Sequence, residues 1–515
     1  MNEAERQPKE RFQAAAAAVL AATAAFAVSY FFRAQFNAAF LPEVSAQLGI
    51  EFSPPRITRF LIETFGKGAK IGGVAIAFLV YFAAAAALGL FFARTRDVLP
   101  GKSAIARGLA FSLLPITFTA LFIGAILWIQ PQILSGYPLR PTIISLLLFN
   151  LTFSLVLSLL ADISAPEEGG SQVAHSIARR QTLFGLSVAA ITIGFTALVL
   201  RGLFRSLVAA VGIVSGRLPS FRTSNEEFYQ VSKNAFNPVI DAREWKLSIR
   251  GNVERPFSLT YDELLSFPMV ERDVTLECVS NEVGGNLISN ARWTGVPLKL
   301  LLERAVLRDG SRDLALRAAD GYTDSIPVQW AQRDETMLAV KMNGETLPRD
   351  HGFPVRLLVP GLFGMENVKW LTDIEVVTTD FRGYWQQRGW ADTAVVKTMS
   401  KFTVPRDGEI LQAGQTYEVG GVAFSGNRGI SLVEVLIERA GHNAPGGTWI
   451  KAELLPEASP TTWTIWRYLW TPEKSGEYVL SVRAVDGQGA PQTAERADPF
   501  PDGASGYHRI KVNVA

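Results

Sequence analysis

The sequence predicts a multidomain protein built from an all-α transmembrane bundle of five helices, an α+β domain and an all-β sandwich. Three observations carry that expectation. Five stretches without a charged residue fall within residues 1–217, and each, at roughly 18 to 25 residues, is long enough to cross the hydrocarbon core of a bilayer. From Leu218 the texture turns to mixed strands, turns and charges. After Ser400 short apolar segments recur at near-regular spacing between Gly, Pro and Asn, the pattern of a β-only domain.

The five apolar stretches are residues 12–32, 71–92, 108–129, 142–161 and 183–200. The first opens a polytopic series and lies far from any small-residue cleavage site, so it reads as a retained helix rather than a removable signal. None of the five contains a carboxylate, lysine or histidine, so no intramembrane proton path is expected. Basic residues are nearly balanced across alternate loops, with Arg33, Arg56, Arg59, Lys67 and Lys70 in the long first one. Arg179-Arg180, just before the last span, decides the orientation. As a positive-inside anchor or as an internal twin-arginine export signal, with Thr182 where phenylalanine is usual, the pair stays in the cytoplasm. The expected location is therefore the plasma membrane, multi-pass, with the C-terminal module on the exported, periplasmic or extracellular, face.

Residues 202–225 read as an amphipathic connector. Trp245 to Gly251 alternates apolar and charged residues as a half-buried strand, and Thr260-Tyr261-Asp262-Glu263 is a capping box opening a short helix. Glu271 to Val279 is strand-like and ends on Cys278. Pro297 suits the first position of a helix through Leu298, Leu301 and Leu302, and Asn343-Gly344 marks a tight turn. Val355 to Val359 and Lys369 to Val377 complete the strands of the middle domain. Beyond Ser400, strands are expected over residues 417–424, 430–439, 448–455, 462–470, 477–486 and 507–514. In the second, Val433, Val435 and Ile437 point one way and Glu434 and Glu438 the other, as in a sandwich.

The formal net charge is +2, which suggests no nucleic-acid partner. Cys278 is the single cysteine, so no internal disulfide is available to it, and it is either a small core residue or a ligand or nucleophile. It stands in Leu276-Glu277-Cys278-Val279-Ser280-Asn281-Glu282-Val283-Gly284-Gly285. Downstream come Trp293-Thr294-Gly295-Val296-Pro297-Leu298, Asp320-Gly321-Tyr322-Thr323-Asp324-Ser325-Ile326-Pro327, Asp350-His351-Gly352-Phe353-Pro354-Val355-Arg356, Gly364-Met365 and Val368-Lys369-Trp370-Leu371. In this order the strings resemble the molybdopterin-binding domain of the sulfite oxidase family.

That resemblance covers about residues 228–400 and continues more weakly to the C-terminus. Beside the membrane domain that the apolar stretches place over 1–217, it implies a sulfite-oxidase-like molybdopterin domain over 218–400 and an immunoglobulin-like sandwich over 401–515. The last often supports dimerisation in the family, so a homodimer is among the expected assemblies. The resemblance also implies a molybdenum-molybdopterin cofactor, with Cys278 ligating the metal beside the dithiolene sulfurs. His351, Arg356 and Lys369 match positions holding pterin and phosphate, Gly361, Gly364 and Met365 would permit close approach, and Asn234 lies in a similar cofactor-side stretch. With Cys278, Tyr322 and Arg388 form the expected catalytic set, and Asp324 is a further pocket candidate.

The departures bear on substrate. Sulfite oxidases and the related nitrate reductases follow the cysteine with Ala-Gly-Asn-Arg-Arg, whose arginines help form an anion pocket. Here the stretch is Val279-Ser280-Asn281-Glu282-Val283, and Glu282 in place of a cation would disfavour a bound anion by on the order of a kcal/mol in a partly buried site. Lys233-Asn234-Ala235 stands for the upstream Arg-Asn-His, and Trp390 where sulfite oxidases tend to carry tyrosine. These changes argue against sulfite and favour a neutral or organic partner in two-electron oxygen-atom transfer.

Of the four histidines only His175 lies in the membrane portion, and no Cys-x-x-Cys-His occurs. No haem is expected, and a separate redox protein would supply or remove electrons. A methionine-sulfoxide-type reductase is the enzymatic alternative. A non-enzymatic surface binding protein on a degenerate molybdopterin fold, with Cys278 inert, is the other.

Overall fold

The structure, a computed structural model, describes residues 3–53, 57, 68–129, 132–135, 137–163, 217–234, 237–440, 448–456 and 459–515. They group into two compact units, Met1–Gly212 with Asn234–Pro238, and Ile213–Lys233 with Val239–Ala515.

In the first unit four helices are long and apolar enough to cross a membrane: Arg11–Phe36, Gly72–Thr95, Ala104–Ile129 and Leu139–Asp162. They correspond to the first four expected spans. The fifth, residues 183–200, lies outside the described residues, as do Arg179-Arg180 and most of the connector. Small side chains let the helices approach, as in membrane bundles generally: Ala18, Ala21 and Ala25 are fully buried around Phe26. The long first loop carries a further helix, Leu41–Phe52. Arg33 sits in the last turn of the first helix, and its Nε donates to Glu43 at 2.7 Å with both side chains buried. A charge carried into a low-dielectric interior persists only when paired in this way.

The second unit opens on a five-stranded sheet in the order Phe257–Thr260, Lys246–Gly251, Leu371–Val377, Asp313–Ala318, Thr323–Pro327. Only Lys246–Gly251 and Leu371–Val377 run parallel. The Thr260 capping box forms, its hydroxyl accepting from the Glu263 amide and the Glu263 carboxylate from the Thr260 amide. A second sheet runs Val270–Glu277, Ile288–Pro297, Met337–Met342, Glu345–Thr346, with Arg356–Leu358 also on Met337–Met342. Asn343 and Gly344, at φ 51° and 84°, make the tight turn between its last two strands. Pro297 caps the helix Leu298–Ala305 rather than beginning it.

The C-terminal part is two facing sheets. One runs Met399–Val404, Tyr417–Phe424, Thr464–Trp470, Glu453–Leu454; the other runs Ile410–Leu411, His508–Val514, Gly476–Asp486, Ile430–Arg439, Ile450–Lys451. Phe402, Val419 and Trp466 from the first pack with Val433, Leu480 and Val512 from the second. The expected strand at 448–455 breaks into two short pieces, one in each sheet. This part is tied to the sheet that carries Cys278: the Thr275 amide donates to Thr461 O at 3.0 Å, and the Trp463 amide to Thr275 Oγ1 at 2.8 Å.

Candidate active site

Strand Val270–Glu277 buries Thr275, Leu276 and Glu277 and delivers Cys278 where the chain leaves the sheet. The Cys278 amide donates to Leu287 O at 2.9 Å, and its carbonyl accepts from the Asn281 amide at 2.9 Å, so a closed turn fixes the thiol. The sulfur lies 3.0 Å from Ser280 Oγ. Burial pushes the thiol pKa up, with the Ser280 hydrogen bond opposing. A metal must therefore displace the proton to bind here. Glu282, the expected anion-repelling residue, is exposed in the turn, and the inward-facing residue is Asn281, which donates to Glu277 at 2.9 Å.

The Glu277 carbonyl accepts from the Gly364 amide at 2.7 Å, which brings the Phe363–Asn367 loop against Cys278. A Cβ at Gly364 would stand 2.5 Å from the Tyr229 hydroxyl, so a side chain there would force the tyrosine or the loop to shift. Tyr229 Oη and Arg356 Nε are buried without a hydrogen-bond partner among the described residues. Arg356 has no carboxylate partner there either; its Nη1 reaches only His351 O, at 3.4 Å, and its guanidinium lies 5.6 Å from the Trp293 ring. Burial holds it down to about 10.

His351 Nε2 is 2.7 Å from Asn225 O, and burial lowers its pKa to about 4, so the ring is neutral. Lys369 donates to Ser232 Oγ and to Asp350 O, over Trp370 at 4.4 Å. The Tyr322 hydroxyl reaches Asp324 Oδ2 at 2.5 Å and Met365 O at 3.1 Å, so it meets the same loop from the other side. Arg388 stacks on Tyr384, with its guanidinium 3.5 Å from the ring centroid, and Lys233 lies 4.9 Å from the same ring.

The structure thus brings Cys278, Gly364 and Tyr322 to one loop, places Arg356 with His351 and within electrostatic reach of Tyr229, which meets the same loop, and sets Arg388 on Tyr384. Asn234 belongs to the first compact unit. Tyr229, Glu277, Glu366 and Gln386 are the participants that sequence reasoning missed. Of these only Glu366, beside Met365, carried any signal.

These residues fit a molybdenum cofactor. A single soft thiol at a strand end, a buried guanidinium with no carboxylate partner among the described residues and suited to a phosphate, and a glycine permitting close approach are the donor set such a group needs. A family model, oxidoreductase molybdopterin binding domain, matches residues 234–385. Fold and site together define a molybdenum-dependent oxidoreductase.

Sulfite oxidase of Gallus gallus is 30% identical over 316 residues, covering 52% of this chain and 67% of that protein. The mitochondrial sulfite oxidase of Mus musculus is 31% identical over 296 residues, covering 48% and 53%. The chain belongs to the sulfite oxidase family. It spans about half the length of the mammalian relatives. Among solved structures, the sulfane dehydrogenase SoxCD from Paracoccus pantotrophus aligns over 57% of this chain and 85% of that one, with TM-score 0.48 and 24% identity.

Proposed function

We propose that this chain is a membrane-anchored oxidoreductase that performs two-electron oxygen-atom transfer on a neutral or organic small molecule at an exported face. The observation carrying this reading is the lone buried thiol of Cys278 and the buried guanidinium of Arg356, both acting on Tyr229 and the latter without a carboxylate partner among the described residues, inside the family match. When bound, molybdopterin supplies the oxygen-atom transfer and the electron storage. The chain supplies the holding groups. Cys278 ligates the metal as thiolate, Arg356 and Lys369 meet the phosphate, neutral His351 offers its ring to the pterin, and Asn234 lines the cofactor-side stretch. Tyr322 and Arg388 line the substrate side.

The apolar helices anchor the protein, by this reading five of them, and an immunoglobulin-like domain over 401–515 supports a homodimer. The chain carries no haem of its own, and a separate redox protein exchanges electrons with it. Sulfite is disfavoured because no arginine follows Cys278 in the turn. The family match favours neither the methionine-sulfoxide-type reductase nor the non-enzymatic binding protein.

The test is molybdenum and pterin content of protein purified from a host that makes molybdopterin, with Cys278→Ser beside it. Near-stoichiometric metal in the parent, lost or electronically altered in the variant, supports the reading. Metal-free, folded parent protein overturns it. A screen of oxidised and reduced small molecules with an artificial electron carrier then separates sulfite from organic substrates.

A further inference from the structure

Two buried carboxylates, Glu366 on the loop that meets Cys278 and Asp324 on the strand Thr323–Pro327, are not used by the proposed function. Asp324 and Glu366 are 0% and 1% exposed, and one amide bridges them: Gln386 Nε2 donates to Asp324 Oδ1 at 2.5 Å and to Glu366 Oε1 at 3.4 Å. Glu366 Oε2 is buried with no hydrogen-bond partner among the described residues. Two full negative charges cannot be kept so close in a dry interior without a cation, and neither carboxylate makes an ion pair among the described residues. Burial raises both carboxyl pKa values, with the charge of Asp392 adding to it at Asp324 and that of Asp324 adding to it at Glu366.

The hydroxyl of Tyr322 gives an independent count. It carries one hydrogen but stands within reach of two acceptors, Asp324 Oδ2 and Met365 O. If it donates to Met365 O, its own oxygen must accept, and the 2.5 Å contact is then a protonated Asp324 donating to Tyr322. Both contacts are satisfied only when the carboxyl holds a proton. Met365 neighbours Gly364, whose amide binds Glu277 O beside Cys278, so the proton sits one loop away from the metal ligand.

We propose that Asp324 and Glu366 share one proton in the resting protein and exchange it with the redox site through the Tyr322 hydroxyl. The proposal rests on the oxygen-atom-transfer reading. Oxidation of a substrate X follows X + H2O → XO + 2 H+ + 2 e−. The oxygen comes from water, the electrons leave to the redox protein, one proton joins the ionised carboxylate of the pair, and the other reaches solvent. In the reductive direction the pair gives its proton. The groups facing the pair are Tyr322 and the Ser325 amide from its own strand, Gln386 from the Gln386–Arg388 turn, and Asp392, with Asp320 facing Tyr322. Asp324 and Glu366 are positioning residues, acting through Tyr322.

The test uses full-chain, cofactor-loaded protein and the near-isosteric Asp324→Asn/Glu366→Gln double variant, with Tyr322→Phe as a third sample. Infrared spectra in H2O and D2O at neutral pH are expected to show a protonated-carboxyl carbonyl band in the parent and in Tyr322→Phe, absent in the double variant. Redox titration is expected to show a molybdenum potential less dependent on pH in both variants. No protonated carboxyl at neutral pH, or a band indifferent to the double substitution, overturns the shared proton. Cofactor content on the same samples separates the failures. A loaded protein whose pH dependence is untouched by either variant overturns the coupling alone, whereas parent protein without molybdenum overturns the function and the coupling with it.

Discussion

Cys278 illustrates what one residue can and cannot say from sequence. Composition leaves it open between core and ligand, and the resemblance makes it a ligand. The structure adds why the thiol is presented rather than packed away: the sheet ends, and the hydrogen bonds to Leu287 and from Asn281 lock the exit. Arg356 is the complementary case, since nothing in its own neighbourhood of sequence reveals that its charge lacks a carboxylate. Arg356→Met keeps the volume and removes the cation. It is expected to lower bound pterin at least tenfold after gel filtration, because a buried charge-assisted contact to phosphate is worth more than about 1.4 kcal/mol. Retained pterin would move the phosphate elsewhere. Gly364→Ala would drive a methyl into the Tyr229 hydroxyl and part the loop from Cys278. Thermal melts should show a destabilisation of roughly 1 to 3 kcal/mol, the usual cost of overpacking.

Elements with local signatures were legible. The capping box formed as read, as did the Asn343-Gly344 turn and the strands Tyr417–Phe424 and Ile430–Arg439, because hydrogen-bonding side chains, positive φ and alternation act within a few residues. Thr260→Ala is therefore expected to cost about 1 kcal/mol, read as a lowered unfolding midpoint in denaturant, the usual loss for an N-cap. The strand Ile288–Pro297 was not assigned, since its burial is nearly continuous and alternation vanishes when both faces are covered. Likewise the Asp324–Glu366–Gln386 group spans residues that touch only through the fold. Glu282 departs from the expectation for a related reason: a turn exposes it, and its neighbour Asn281 is the buried residue.

Across the whole chain, hydropathy separates the apolar helices from the rest, while the close tie between the molybdopterin-binding part and the C-terminal sheets is visible only in three dimensions. His508 sits at that tie, its Nδ1 accepting from the Phe402 amide at 3.0 Å. Burial, assisted by Lys401, lowers its pKa from 6.5 to about 4. The unfolded chain then binds the proton first, so stability from this residue is complete above pH 6.5 and is lost as pH falls towards 4. His508→Asn retains an acceptor without the titration, and its unfolding free energy should fall less than the parent's over that window; parallel curves would exclude the residue as the source. The most direct test of the metal assignment is X-ray absorption at the molybdenum edge of purified parent protein and Cys278→Ser. The parent is expected to contain molybdenum with one more sulfur neighbour than the variant. An identical sulfur count in both, or no molybdenum in the parent, would contradict the assignment of Cys278 as the metal's protein ligand.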